Sequence, residues 1–287
     1  MSKIESIMEI IKKFDAKGDQ NEFLKLILRR VSLAVNQDNP LIFTTFTCST
    51  ISSAKMFSNK PWEYVSLDPQ GNNLTADIKR LAEITKAVQK VYPKTRLQII
   101  IGNTDPYYIY TQQFLAVEGN IGELWTRFAQ RWESYCTALK VWLKDQALDV
   151  EIDVVSWYEF EKEIEQTQSE AFEQEYLDVF NNIERYAKES DMSWELKKLK
   201  SQFGKGGYFD GLEQPNDQML QDWVRRKFAQ YAVQALWIRQ YMPNVLLIQN
   251  EKPSDLRTNM YQSLVRERCN EAFPILYFCG VDNQGYQ

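Results

Sequence analysis

Apolar residues recur at three- and four-residue steps through Ile4–Phe14 and Gln20–Val35, where Phe23, Leu26, Ile27, Arg30, Val31 and Ala34 share one face. That is the period of amphipathic helices. The stretch "NQDNP" then breaks the pattern, and Leu41–Thr47, "LIFTTFT", reads as a buried strand rich in β-branched and aromatic residues. Leu74–Val91 returns to helical spacing, with Leu74, Ile78, Leu81, Ile84, Val88 and Val91 on one stripe and Tyr92-Pro93 ending it. Leu97–Ile101 is short and almost wholly apolar, the signature of a strand covered on both faces.

The later chain repeats this alternation. Ile121–Ala147 predicts a long helix carrying Trp125, Phe128, Trp132, Tyr135 and Leu139, and Val150–Ser156 a strand. Glu159–Lys200 reads as helical and heavily charged, and Phe203–Asp217 as the loosest segment, with four glycines and a proline. Gln218–Tyr241 is a helix, Val245–Gln249 a strand, Ser254–Cys269 a helix and Ile275–Gly280 a last strand. A short strand is also open at Tyr64–Leu67. Strands separated by crossovers long enough for a helix predict an α/β fold: a Rossmann-like, mostly parallel sheet with helices on both faces. Residues 1–287 are expected to form a single domain, with a helical or lid insertion over about 159–217.

Composition narrows the function. The net charge is −5 with no basic stripe, which argues against a dedicated nucleic-acid binder. No run of 18 apolar residues spans a membrane, and the opening "MSKIESIMEIIKKF" lacks a signal-peptide core, so a cytoplasmic protein is expected. Cys48, Cys136, Cys269 and Cys279 have no metal-ligand spacing and read as buried thiols. The chain contains no histidine, which removes the commonest general base, the usual zinc ligand and the Ser-His pair. Acid–base work falls to Asp, Glu, Lys, Tyr or Cys, and no metal or other cofactor is expected.

Ligands of open α/β sheets bind beyond the carboxyl ends of the strands, where the strand order reverses. Gly102-Asn103-Thr104-Asp105-Pro106 follows a strand; it is either a turn, or a site in which Asp105 is a base or amine ligand beside Asn103, Tyr107, Tyr108 and Tyr110. The loop Cys48–Lys60 offers Ser49, Lys55 and Lys60 for a phosphate or carboxylate, against a solvated-loop reading. "FGKGG" lacks the Lys-Ser/Thr pair of a phosphate loop, and no GxGxxG is present. Arg225-Arg226-Lys227 reads as a surface cluster, and the carboxylates of 159–175 as a solvated face.

The segment "NPLIFTTFT" with "DPQGNNLTADIKRLAEITKAVQKVYPKTRLQIIIGNTD", and later "IRQYMPNVLLIQNEKPS", resembles the isocyanide synthases, which act on tyrosine or tryptophan or in dityrosine spore-wall synthesis. That resemblance implies a small-molecule enzyme of secondary metabolism joining an amino acid and a sugar phosphate. Asp105 would grip the amine, Tyr107, Tyr108 and Trp157 would wall the pocket, and Lys55 or Lys60 with Arg257 would hold the phosphate; Gln249 stands at a strand end nearby. The segments "GELWTRFAQRWESYCTALK", "IDVVSW", "YAVQALW", "VLLIQ" and "PSDLRTNMY" resemble the cyclodipeptide synthases, Rossmann-type relatives of tyrosyl- and tryptophanyl-tRNA synthetases. This second resemblance implies an aminoacyl-tRNA-dependent transferase with Ser49 or Ser66 as nucleophile and Tyr231 as its tyrosine. The glutamate such enzymes carry four residues further on is Ala235 here, beside Gln234. The third expectation is an inactive relative that binds a ligand or a protein.

Overall fold

The computed structural model describes residues 1–48, 74–102, 139–146, 148–156, 174–205, 213–242, 245–250 and 255–278, with 133, 136–137 and 171. Its strands are β1 (Leu41–Cys48), β2 (Thr95–Gly102), β3 (Ile152–Ser156), β4 (Val245–Asn250) and β5 (Ile275–Phe278). Its helices are α1 (Lys3–Phe14), α2 (Leu24–Asn36), α3 (Leu74–Gln89), α4 (Glu189–Ser201), α5 (Asp217–Tyr241) and α6 (Asp255–Cys269). Residues 139–145 and 174–181 are also helical. The strands make one five-stranded sheet in the order β3-β2-β1-β4-β5, and every neighbouring pair is parallel. The fold is α/β and Rossmann-like, and its β1 and β2 sit in full eight-residue register from Leu41 opposite Thr95 to Cys48 opposite Gly102.

The chain steps from β1 through α3 to β2 in one direction along the sheet, and from β4 through α6 to β5 in the other. Right-handed crossovers in opposite directions place α3 and α6 on opposite faces. α1 packs on α3, while α5 packs on α6 and α4. The main core joins the two layers through Phe43, Leu246, Leu247 and the buried side of α5. From Ala232 to Ile238 every residue of α5 is buried, so this helix is enclosed by protein rather than amphipathic. Ile78, Ile99, Leu139, Leu143 and Val154 form a second, smaller cluster under the β2–β3 side.

The predicted strands and helices that fall on described residues mostly stand where the apolar periodicity placed them, within a few residues; the helix expected over Ile121–Ala147 lies mostly outside the described residues. Two helices differ. The expected helix from Gln20 starts instead at Leu24, because Asn21 is engaged elsewhere: its amide donates to Asp15 at 2.7 Å and to the Ile275 carbonyl at 3.1 Å, and its carbonyl accepts from the Phe23 N–H. With the Ala16 N–H donating to the Tyr277 carbonyl, this ties segment 15–21 along the open edge of β5. Burial pushes the Asp15 carboxyl above its ordinary value, against the pull of Asn21 and the Lys17 N–H. The continuous helix expected over 159–200 is broken at 182–188, where the Asn182 amide turns back to the carbonyl and carboxylate of Asp178 and Ile183 and Tyr186 turn into the core.

Asp38 ends α2 in the left-handed region at φ 55, and Asn39 N–H reaches the Ala34 carbonyl at 2.9 Å. Tyr92 locks that turn, its hydroxyl donating toward the carbonyls of Ala34 and Asn39 at 3.1 and 2.7 Å. The Tyr-Pro phrase thus has a structural role. Cys136 and Cys269 are half-buried thiols rather than core ones. Cys279, the suggested strand at 64–67 and Trp125 and Trp132 lie outside the described residues. Among the described residues, no helix is long and apolar enough to cross a membrane.

Replacing Asn21 by Ala removes all three hydrogen bonds from a buried position, and should cost about 2 kcal/mol of unfolding free energy. Urea denaturation reads this directly. A loss below about 0.5 kcal/mol would mean the strap contributes nothing to closing the sheet edge.

Candidate functional site

The strand order reverses between β1 and β4, and there the ladder itself opens. β1 pairs with β4 only from Ile42 opposite Val245 to Thr44 opposite Leu247. Beyond that point β1 continues to Cys48 along β2, and β4 continues to Asn250 along β5. The two central strands therefore diverge toward their carboxyl ends, which is where an open parallel sheet makes a crevice. Thr44 is fully buried at the fork, and its hydroxyl meets the Gln98 side chain of β2 at 3.3 Å.

Three of the sequence-predicted residues directly follow strands in the sequence. Ser49 is bonded to Cys48 at the end of β1, Asn103 to Gly102 at the end of β2, and Trp157 to Ser156 at the end of β3. Ser49, Lys55, Lys60, Ser66, Asn103, Asp105, Tyr107, Tyr108 and Trp157 themselves lie outside the described residues. Gln249 is in β4, opposite Tyr277, and Arg257 is in the first turns of α6; for both, the backbone alone is described.

Tyr231 is the candidate described in full. The Val245 N–H donates to the Met242 carbonyl at 3.1 Å, tying the end of α5 to the start of β4. Tyr231 lies ten residues, about 15 Å of helical rise, before Tyr241 in α5. Its ring packs against the main core and is half exposed. One turn earlier, the Lys227 ammonium stands 5.9 Å from the ring centroid and forms an ion pair with Glu195 of α4. Both members of that pair are sheltered, at 14% and 4% side-chain exposure, so the charges are held in a low-dielectric setting.

The Arg225–Lys227 run is thus a set of anchors between elements rather than a surface cluster. Arg225 pairs with Glu184 and donates to the Phe180 carbonyl at 3.2 Å, and the Arg226 guanidinium lies 4.9 Å from the Phe180 ring centroid. Backbone and Arg225 hydrogen bonds hold the Glu184 carboxyl below its ordinary value. Glu195, which sequence reasoning missed, leaves one signal: it stands four residues before Leu199 on the inward face of α4. At the position where the second resemblance leads one to expect a carboxylate, Ala235 is wholly buried and Gln234 is 7% exposed. A glutamate there would have to give up its hydration inside the core.

The fold is shared with a cyclodipeptide synthase. The solved structure of such a protein from Fluoribacter dumoffii superposes with a TM-score of 0.51 at 8% identity, covering 82% of this chain and 88% of that one. A tyrosyl-tRNA synthetase from Leishmania major, in complex with tyrosinol, matches at 14% identity over 90% of this chain and 36% of that one; its TM-score of 0.33 is too low to carry an argument. No protein-family model and no curated protein matches the sequence. The superposition supports, at the level of the fold, the resemblance to cyclodipeptide synthases; a link to isocyanide synthases is not shown.

Removing one member of the sheltered Glu195–Lys227 pair deprives the other of its ion-pair partner. Glu195→Leu and Lys227→Met should each cost about 3–5 kcal/mol, and the double variant distinctly less than their sum. A double-mutant cycle by chemical denaturation measures this, and strict additivity would contradict a direct pair.

Proposed function

We propose that the chain is an aminoacyl-tRNA-dependent transferase of the cyclodipeptide-synthase type, working in the crevice between the carboxyl ends of β1 and β4. The observation that carries the reading is the divergence of those two strands at the reversal of strand order, with Ser49 next in sequence after β1. The shared fold, aligned over most of both chains, supports the same reaction class.

In this reading the Ser49 hydroxyl attacks the ester carbonyl of an aminoacyl-tRNA. The new bond is a serine ester, the bond that breaks is the one to the terminal ribose oxygen, and the hydroxyl proton leaves with the freed tRNA. The amine of a second aminoacyl ester then attacks the serine ester, forming a peptide bond and releasing the Ser49 hydroxyl. Tyr231 is assigned to the amine of the bound aminoacyl group, with the Glu195–Lys227 pair fixing the charge beside its ring. A strand-end nucleophile suits the site because rigid strands hold it and the crevice admits the substrate. The absence of histidine leaves Asp, Glu, Lys, Tyr and Cys as the proton-handling groups, and Tyr231 is the one assigned here.

A second reading has its own support. The wholly buried Ala235 in place of a carboxylate favours a relative that binds an aminoacylated tRNA end without turnover. One experiment separates the two. Intact-mass spectrometry of the protein incubated with aminoacylated tRNA should detect one added aminoacyl residue, absent in Ser49→Ala, and Tyr231→Phe should slow its transfer by roughly 10²-fold or more. An adduct that persists in Ser49→Ala would remove that serine, and tRNA binding with no adduct and no product would select the non-catalytic reading.

A further inference from the structure

A second concave surface runs along the outer edge of the sheet. β3 has β2 as its one strand neighbour among the described residues. Beside it is a groove of about 570 Å³. Ile152, Asp153, Val154 and Val155 all line that groove, together with Lys140 and Lys144. Successive residues of a strand point to opposite faces of its sheet, so consecutive residues border one space where it opens along the strand's edge. An edge strand presents there the backbone N–H and C=O groups that its sheet leaves unused. Nothing in the aminoacyl reading uses this groove.

The charges along the groove are kept apart. Lys140 and Lys144 stand on the helix 139–145, whose Leu139 and Leu143 pack with Ile99 and Val154 in the smaller core cluster. Asp153 is in register with Gln98 of β2, and so it belongs to the face opposite Ile99 and Val154. The edge therefore has two lysines on its helical side and one carboxylate on the other. Both lysines are exposed and Asp153 is half-buried, and none of the three has an ion-pair partner among the described residues. The lysines are four residues apart, about 6 Å of helical rise, while alternate residues of an extended chain are about 7 Å apart. Helix 139–145 falls between β2 and β3 in the chain and packs on the sheet as a crossover helix does, so the two spacings run in step.

We propose that this edge binds an extended peptide of another protein by strand addition, with acidic side chains at alternate positions against Lys140 and Lys144 and a basic side chain between them toward Asp153. Backbone hydrogen bonds to β3 supply the affinity common to all such peptides, and the charges select among them. A second copy of this chain fits less well, because the twofold axis that pairs two β3 strands antiparallel brings the lysines of both copies together on one face. A nucleic acid would set phosphates along an edge that holds Asp153, and would leave the strand's backbone groups unanswered. The proposal is independent of aminoacyl chemistry and stands if the crevice proves inactive.

Fluorescence anisotropy of a labelled peptide, Thr-Val-Glu-Lys-Glu-Val-Thr, titrated with the full-length protein tests it. Saturable one-to-one binding is expected. Lys140→Glu combined with Lys144→Glu, both at exposed positions, should weaken it by about tenfold or more. The same double variant should instead prefer the charge-reversed peptide Thr-Val-Lys-Glu-Lys-Val-Thr. Methylation of the peptide's backbone nitrogens should abolish binding, because strand addition needs those donors. No saturable binding, binding indifferent to the lysine variant, or equal binding of the methylated peptide would overturn the proposal. Displacement of the peptide by tRNA, with tRNA weakened by the same variant, would give the groove to nucleic acid. A dimer of the protein that the peptide dissociates would give it to a second copy.

Discussion

Two right-handed crossovers leave the central strand pair in opposite directions, and most of the architecture follows from that constraint. Because β1 runs outward to β2 and β4 runs outward to β5, α3 and α6 must cover opposite faces. The ladder between β1 and β4 stops after Thr44 and Leu247, while each strand continues along its outer neighbour. The crevice is thus a product of chain direction and handedness rather than of any particular side chain. This is why a cyclodipeptide synthase with 8% identity has the same fold. Apolar strands and helices of suitable length satisfy the constraint with many different residues.

Distant elements are tied together by ion pairs. One helical turn before Tyr231, the sheltered Lys227 of α5 pairs with Glu195 of α4. Beside the start of β5, Glu271 is shared by Arg29 of α2 and Arg239 of α5.

Much of this fold was legible in the sequence because it rests on local pattern. Leu97–Ile101 is so apolar that only a strand covered on both faces fits it, and the stripe from Leu74 to Val88 has one helical solution. Features resting on contacts between distant residues were not legible. Asn21 looks like an ordinary helix residue until β5, more than 250 positions later, offers it a carbonyl. Lys227 read as part of a surface cluster because its partner, Glu195, is 32 residues away on another helix. Chain direction could place Ser49, Asn103 and Trp157 after strand ends, but it could not reveal which side chains converge. Tyr231 came from the resemblance to cyclodipeptide synthases, whereas its charged neighbours came only from packing.

The central claim is that the functional surface lies where β1 and β4 diverge. Hydrogen–deuterium exchange with and without a non-hydrolysable 3′-aminoacylamino-adenosine tests it most directly. The account predicts slowed exchange in peptides ending β1 and β4 and in the part of α5 around Tyr231, with residues 148–156 less affected. Protection confined to the outer β3 edge, or no protection anywhere at saturating analogue, would contradict it.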